Sequence, residues 1–327
     1  MMRTVEPRAL REKASETEET IDDLARHNQS SNLHRGGLAS QEEWKGYGDV
    51  MEDKKGKIFR LGFQNFGGLL GHRTDQMDTS LRRWINEGDF DVFGIAEMGV
   101  NWRRATPQLQ LEERMAGWWA PGTTRQIKAC NRHDISRSVS QWGGVAQISK
   151  GKGALREVQR GKDPRDLGRW VWQQYRGRQG FILRVVTAYR PQKKKAHEIK
   201  SVRQQQRDYF NQNNMPEAEP RDQMMQDLKA EVQKWRNSGE QIVLMGDWNE
   251  DVRSIPMKEW AEGLGLREAI LEMHGSDQAP KTYQDGQKPI DGIFVSHSIA
   301  IQQGGYTSFD EGVQGDPTHN RSDHRCL

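Results

Sequence analysis

Cysteine is nearly absent: Cys130 and Cys326 are the only two in 327 residues. That excludes a disulfide framework or a thiolate zinc cluster built within the chain alone. Long hydrophobic runs are missing as well, and none approaches the roughly 18–20 apolar residues of a membrane helix. The opening stretch Met1-Met2-Arg3-Thr4-Val5-Glu6-Pro7 lacks the apolar segment of a secretory signal. The expectation is an intracellular chain in a reducing compartment, with no membrane contact. An excess of one charge is missing too, since 49 basic and 46 acidic residues leave a net +3. The sum therefore names no polyanionic partner. Length allows two domains at roughly 150 residues each, although a single α/β sandwich also reaches this size.

What is present is unevenly distributed. Residues 1–56 carry charges of both signs, few apolar side chains and no strand-like alternation. They read as a polar, flexible N-terminal extension, with a short exposed helix over 15–26 capped by Ser15 and Glu18. From Lys57 the texture becomes that of one folded domain, 57–327. Phe59, Leu61 and Phe63 alternate into Asn65-Phe66-Gly67-Gly68, a strand entering a loop. Met77, Leu81, Trp84 and Ile85 follow at helical spacing and predict a helix that ends at Gly88-Asp89. Short buried strands are expected at 91–96, 144–149, 170–175, 180–188, 241–246 and 290–296. A second helical stripe runs through Met224, Met225, Leu228, Val232 and Trp235. Strands mixed with helices, joined by hairpins as well as crossovers, predict an α/β fold with a mixed sheet or two packed sheets and helices outside.

Two compositional features bear on function. Between residues 169 and 207 the bases Arg169, Arg176, Arg178, Arg184, Arg190, Lys193, Lys194, Lys195, Lys200, Arg203 and Arg207 face a single acid, Glu198. Such a run neutralises phosphates along a backbone, or forms a solvated face. The 11 tryptophans are core or groove-wall residues for the most part, and an exposed indole stacks on bases.

The chemistry sits where apolar strands end in a polar residue: Gln64-Asn65, Ala96-Glu97, Thr187-Ala188-Tyr189-Arg190, Gly246-Asp247-Trp248-Asn249 and Ser322-Asp323-His324. Taken singly, these are commonly solvated strand ends or Asx-turns. Asp291 is different, because a carboxylate among Ile290, Gly292, Ile293 and Phe294 is costly to bury without a partner, and a histidine N–H is a suitable one. Carboxylates, carboxamides, a phenol and an imidazole together suit a hard cation and an activated water.

The order of these pieces, with Gly143-Gly144-Val145-Ala146 and Pro289-Ile290-Asp291-Gly292-Ile293-Phe294, resembles the endonuclease/exonuclease/phosphatase superfamily with its DNase I-like fold. The resemblance runs from about Lys57 to the C-terminus. It implies a four-layer α/β sandwich of two packed mixed sheets flanked by helices. It also implies Glu97 as the principal Mg²⁺ ligand (Mn²⁺ as substitute) and Asp323 as an auxiliary one. Asn65 would order the metal-side loop and a phosphate oxygen. Asp247 would orient or deprotonate the attacking water beside Asn249, and Tyr189 would contact the phosphate. His324, fixed by Asp291, would stabilise charge on it.

There are two departures. Gly67 stands where some DNA-repair members carry an acid, so specificity for abasic DNA is not implied. The family continues past Asp-His with a buried strand, whereas this sequence stops at Arg325-Cys326-Leu327. Either the domain is truncated, or His324 lacks its usual support.

For substrate, the basic run, with Arg190, Lys193, Lys194 and Lys195 just past Tyr189 and Arg103 and Arg104 just past Glu97, favours a nucleic acid, DNA before RNA. The texture is similar to endonuclease domains of non-LTR retrotransposons. That implies a DNA-nicking endonuclease, part of a longer polyprotein with a reverse transcriptase and nuclear in location. The alternatives are a phosphatase acting on inositol or lipid phosphates, and a nucleic-acid-binding module without catalysis.

Overall fold

Apolar runs such as Val92–Ala96 and Gln241–Asp247, bounded by glycine or polar residues, become the central strands of two sheets. In a computed structural model, residues 46–55, 58–68, 74–133, 138–193, 201–309 and 322–327 are described. All of them fall in the unit Ala39–Leu327, one of two into which the chain divides. The helix expected at 15–26 lies outside the described residues.

The strands are β1 (Tyr47–Gly48), β2 (Leu61–Asn65), β3 (Val92–Ala96), β4 (Thr124–Ala129), β5 (Val145–Lys150), β6 (Glu157–Lys162), β7 (Trp170–Arg176), β8 (Ile182–Tyr189), β9 (Gln241–Asp247), β10 (Leu266–Glu268), β11 (Asp291–Ser296) and β12 (Gly305–Tyr306). A four-stranded sheet has the order β2-β3-β5-β4, and a six-stranded sheet the order β10-β11-β9-β8-β7-β6. The pairs β2/β3 and β8/β9 are parallel, and the other pairs in these sheets are antiparallel. The main helices are α1 (Thr74–Glu87), α2 (Val202–Gln212), α3 (Pro220–Asn237), α4 (Ile255–Glu262) and α5 (Ala269–His274).

Each sheet is covered on its outer face. The expected stripe Met77, Leu81, Trp84 and Ile85 on α1 packs with Phe93 and Ile95 of β3. The stripe on α3 packs with the residues of β8 and β9. Because β3 is covered on both sides, all five of its residues are buried and it reads as one apolar run. This is the α/β sandwich that was expected, two packed mixed sheets flanked by helices. No helix among the described residues is long and apolar enough to cross a membrane.

Between the sheets the fold departs from simple alternation. Thr187 Oγ1 donates to Gln147 Oε1 at 2.8 Å, Gln147 Nε2 to Gln173 Oε1 at 3.0 Å, and Ser149 Oγ to Gln173 Oε1 at 2.9 Å. These groups are buried and satisfy one another. Gly94 lies beside them, and a Cβ there would sit 2.5 Å from Thr187 Oγ1 and 2.8 Å from Met245 Cε. Glycine lets the two backbones approach where the site residues leave their strands.

The folded body begins before Lys57. Tyr47–Gly48 pairs antiparallel with Gly305–Tyr306, and Asp49 N donates to Gly304 O at 3.0 Å. A single aromatic in a polar stretch is enough to dock it: the Tyr47 ring meets Tyr306 and His274, each at 6.0 Å. The C-terminal residues are likewise docked, with Phe63 N donating to Leu327 O at 3.1 Å and Leu327 N to Phe63 O at 2.9 Å. His324 therefore has support, contrary to one of the two expectations.

Glu268 joins β10 to α5. Its Oε2 accepts from Leu271 N at 2.6 Å, capping the helix, and its Oε1 accepts from Ile293 N at 3.0 Å in β11. Burial pushes its carboxyl up to about 7 in spite of these donors.

Two predictions follow from this packing. Gly94→Ala should cost about 1–3 kcal/mol, as overpacking does; an unchanged urea midpoint would mean the sheets separate freely. The folded Glu268 holds its proton to higher pH than the unfolded chain. Its contribution to stability is thus complete below about pH 4.5 and lost as the pH rises to about 7. Across that window, wild-type unfolding free energy should fall relative to Glu268→Gln by on the order of 3 kcal/mol. Parallel pH curves for the two proteins would refute the assignment.

Candidate active site

Sheet register brings the polar strand ends together. Parallel β8 and β9 place Tyr189 opposite Asp247, and antiparallel β9 and β11 place Asp247 opposite Asp291. In the other sheet, parallel β2 and β3 place Asn65 opposite Ala96, so Asn65 and Glu97 leave at the same end. An antiparallel bridge between Tyr283 and His324 adds the imidazole. Asn65, Glu97, Tyr189, Asp247, Asn249, Asp291, Asp323 and His324 thus occupy one end of the two sheets.

Each side chain is held by its neighbours. Asp247 is fully buried. Its Oδ2 accepts from Asn65 Nδ2 at 2.8 Å and Asn249 Nδ2 at 3.2 Å, and its Oδ1 from Asn249 N at 2.8 Å. Asn249 has φ +47°, a left-handed conformation that asparagine tolerates. Glu97 has φ +50°, which few glutamates adopt and which costs on the order of 1 kcal/mol. The turn aims it out of β3 while the next amides, Met98 N and Gly99 N, bond Gly144 O at 3.2 Å and Gly143 O at 3.0 Å. The Tyr189 hydroxyl and the Asn65 carboxamide both favour the charged form of the Glu97 carboxylate. His324 Nδ1 lies 2.8 Å from Asp291 Oδ2, and Asp323 Oδ1 lies 4.0 Å from His324 Nε2.

Burial and crowding of like charges shift these groups. Desolvation raises Glu97, opposed by the Tyr189 hydrogen bond and the charge of His324. Burial, then the charge of Asp291, raises Asp247 well above the usual carboxylate range. Burial also raises Tyr189, reinforced by Glu97, so its phenol stays protonated and donates. For His324 burial alone would favour the neutral ring, but the carboxylates of Asp291, Asp247 and Asp323 win and raise it to about 10. The imidazole is charged at neutral pH.

Asp247, Asp291 and His324 offer atoms within 4.8 Å of one another. This trio is a poor metal site, because a protonated imidazole has no lone pair to give. Glu97 and Asp323 fit a hard divalent cation better. Both offer carboxylate oxygens, Asp323 is about half exposed at 47%, and the charge of Asp323 reaches Glu97. Mg²⁺ takes one or two protein carboxylates and keeps its waters.

Much of the expected basic surface is paired with acids. Arg190 is only 8% exposed and faces Asp222 at 3.6 Å and Glu250 at 3.8 Å. Burial, then the adjacent Arg221, lowers it to about 10. Lys193 pairs with Glu250 at 2.9 Å. Elsewhere in the basic run, Arg169 is buried against Asp163 and Asp227, Arg184 against Glu240, and Arg203 and Arg207 share Glu219. Apart from Asp163, six residues before Arg169, the acids lie 12 or more residues away from their partners, which a local charge count does not register. Lys194 and Lys195 lie outside the described residues. Arg103 and Arg104 are exposed on the loop that follows Glu97.

Further residues hold the site, and two of them, Thr282 and Tyr283, carry no sequence signal. Thr282 Oγ1 accepts from Ile290 N at 2.9 Å and Asp291 N at 3.1 Å. Tyr283 packs on the His324 ring at 5.1 Å, and Gln64 Nε2 donates to His324 O at 3.1 Å. The Ser322 hydroxyl donates to Asn65 O. Thr282 and Tyr283 sit in a polar loop without periodicity, so nothing marked them beforehand.

Among solved structures, the human Nocturnin catalytic domain with bound sulfate superposes with TM-score 0.54 at 14% identity, covering 82% of this chain and 91% of that one. An AP endonuclease from Archaeoglobus fulgidus gives 0.52 at 16%, covering 83% and 98%. A mannosyl-6-phosphatase from Bacteroides thetaiotaomicron gives 0.52 at 17%, covering 82% and 97%. At such identities the likeness is one of fold. No curated protein matches the chain by sequence. The profile of the Endonuclease/Exonuclease/phosphatase family matches residues 65–324, a span that begins at Asn65 and ends at His324. The chain belongs to the endonuclease/exonuclease/phosphatase family of phosphoester hydrolases.

Proposed function

We propose that the chain is a Mg²⁺-dependent phosphodiester hydrolase that nicks DNA, of the kind joined to a reverse transcriptase in non-LTR elements. The observation that carries the hydrolase reading is the row Tyr189–Asp247–Asp291, with His324 set against it and Glu97 facing it from the other sheet. Asp247, held by Asn65 and Asn249 and raised by burial, is the base that orients and deprotonates the attacking water. His324, fixed by Asp291 and positively charged, donates to a non-bridging phosphate oxygen and offsets the charge that grows on it. The Tyr189 phenol and Asn249 carboxamide border the phosphate. Glu97 and Asp323 would hold the divalent cation, which supplies charge neutralisation at the phosphate.

Nucleic acid is favoured by Trp142, which is 63% exposed and immediately precedes the glycines that bond the backbone after Glu97. An open indole suits base stacking, and Arg103 and Arg104 are exposed on the loop that follows Glu97. The fold is shared with an AP endonuclease. A phosphatase acting on inositol or lipid phosphates is the second reading, favoured by the internal neutralisation of the basic run.

Supercoiled plasmid with Mg²⁺ should be converted to the nicked circle, and EDTA should abolish the conversion. Asp247→Asn and His324→Ala should each lower the rate by about 10²–10⁴-fold. Phosphate release from inositol or lipid substrates with intact plasmid would replace the proposal with the second reading. Salt-sensitive DNA binding that survives EDTA without turnover at any Mg²⁺ concentration would leave a binding module alone.

A further inference from the structure

A buried residue outside the row of site residues is bonded to both of the loops that carry it. Arg221, in the first turn of α3, is 5% exposed. One guanidinium nitrogen donates to Pro191 O, and the other to Asn249 O at 2.9 Å and Glu250 Oε2 at 3.1 Å. Pro191 is two residues past Tyr189, and Asn249 is two residues past Asp247. Where β8 and β9 part, Arg190 N still donates to Asp247 O at 2.9 Å. Beyond that point the loops are joined by Asn249 Nδ2 on Arg190 O at 2.8 Å and by the Arg221 fork.

An ion pair alone does not account for this placement. Glu250 already has Lys193 at 2.9 Å and Arg190 at 3.8 Å, so its charge is compensated without Arg221. What Arg221 adds is geometric. A rigid planar fork spans two main-chain carbonyls that have left the sheet, and it fixes the distance between them.

We propose that Arg221 is a positioning residue for the reaction, holding the Tyr189 and Asn249 loops at the separation that catalysis needs. The proposal rests on the phosphodiesterase reading of the site. Displacement of a reacting group by 1 Å lowers a rate on the order of a hundredfold, so loosening the fork should act on turnover without weakening binding.

The test uses the full chain with Arg221→Lys and Glu250→Gln. Steady-state kinetics on bis(p-nitrophenyl) phosphate with Mg²⁺ are combined with hydrogen–deuterium exchange of the metal-free protein. Arg221→Lys keeps the positive charge but loses the fork. Its kcat should fall about a hundredfold at unchanged KM, and amides of 189–193 and 248–251 should exchange faster while those of β3 and β9 do not. Glu250→Gln keeps the fork and should behave as wild type in both measurements. Wild-type kcat in Arg221→Lys, or an equal loss in Glu250→Gln, would overturn the proposal. A wild-type protein inactive on both diester and plasmid would instead strike the functional reading. Unchanged loop exchange in Arg221→Lys would then still overturn the clamp on its own.

Discussion

Asp247 and Asp291 face one another on adjacent antiparallel strands, both with no exposed surface. Like charges directly opposite in a sheet are destabilising, and removal from water multiplies the penalty. The arrangement holds because His324 bonds Asp291 at 2.8 Å and carries positive charge through neutral pH, while Asp247 collects three hydrogen bonds from Asn65 and Asn249. Each compensating group comes from a different segment. Asn65 ends β2, Asn249 follows β9, and His324 arrives from the C-terminal stretch that pairs with Phe63. The carboxylate pair therefore requires both sheets and the chain end to be in place together, and the chemical competence of the site is inseparable from tertiary closure.

Closure at this end is achieved by small residues and by strain. Gly94 removes the side chain that would hold the sheets apart, and the positive φ of Glu97 turns its carboxylate across the gap towards Tyr189. Strain at a single residue, on the order of 1 kcal/mol, persists only where the surroundings over-determine it. Here Met98 and Gly99 are fastened to Gly144 and Gly143 immediately after the turn. The glycine pair before β5, which in sequence is one of the pieces that carry the family resemblance, is what anchors the backbone beyond Glu97.

The layers were legible because burial on one or two faces writes itself into local periodicity: Met77, Leu81, Trp84 and Ile85 on α1, the apolar run of β3, and the stripe on α3 all stand where the spacing places them. The polar strand ends were legible for a related reason, since an apolar run that stops at a carboxylate is rare enough to notice, and Asp291 inside its strand demanded a partner. Contacts between distant segments had no such trace. Tyr47 docks a stretch that reads as polar, Thr282 caps Asp291 from a loop without pattern, and the polar bridge of Gln147, Gln173 and Thr187 lies where alternation alone would place apolar residues.

The basic run shows what a charge count along the chain leaves out. Eleven cations with one nearby acid look like a polyanion track only if charge is summed along the chain. In the fold, Asp163, Asp222, Asp227, Glu219, Glu240 and Glu250 are brought from other elements to six of them, Arg169, Arg184, Arg190, Lys193, Arg203 and Arg207. Two of the resulting pairs are buried deeply enough to stack on indoles, Arg169 on Trp170 at 4.6 Å and Arg184 on Trp172 at 3.9 Å. A guanidinium committed in this way neutralises no phosphate and releases no counterion. Under the proposed reading, selection of an extended substrate depends on how a phosphodiester fits between Glu97, Asp247 and His324, with the exposed Trp142, Arg103 and Arg104 as further contacts.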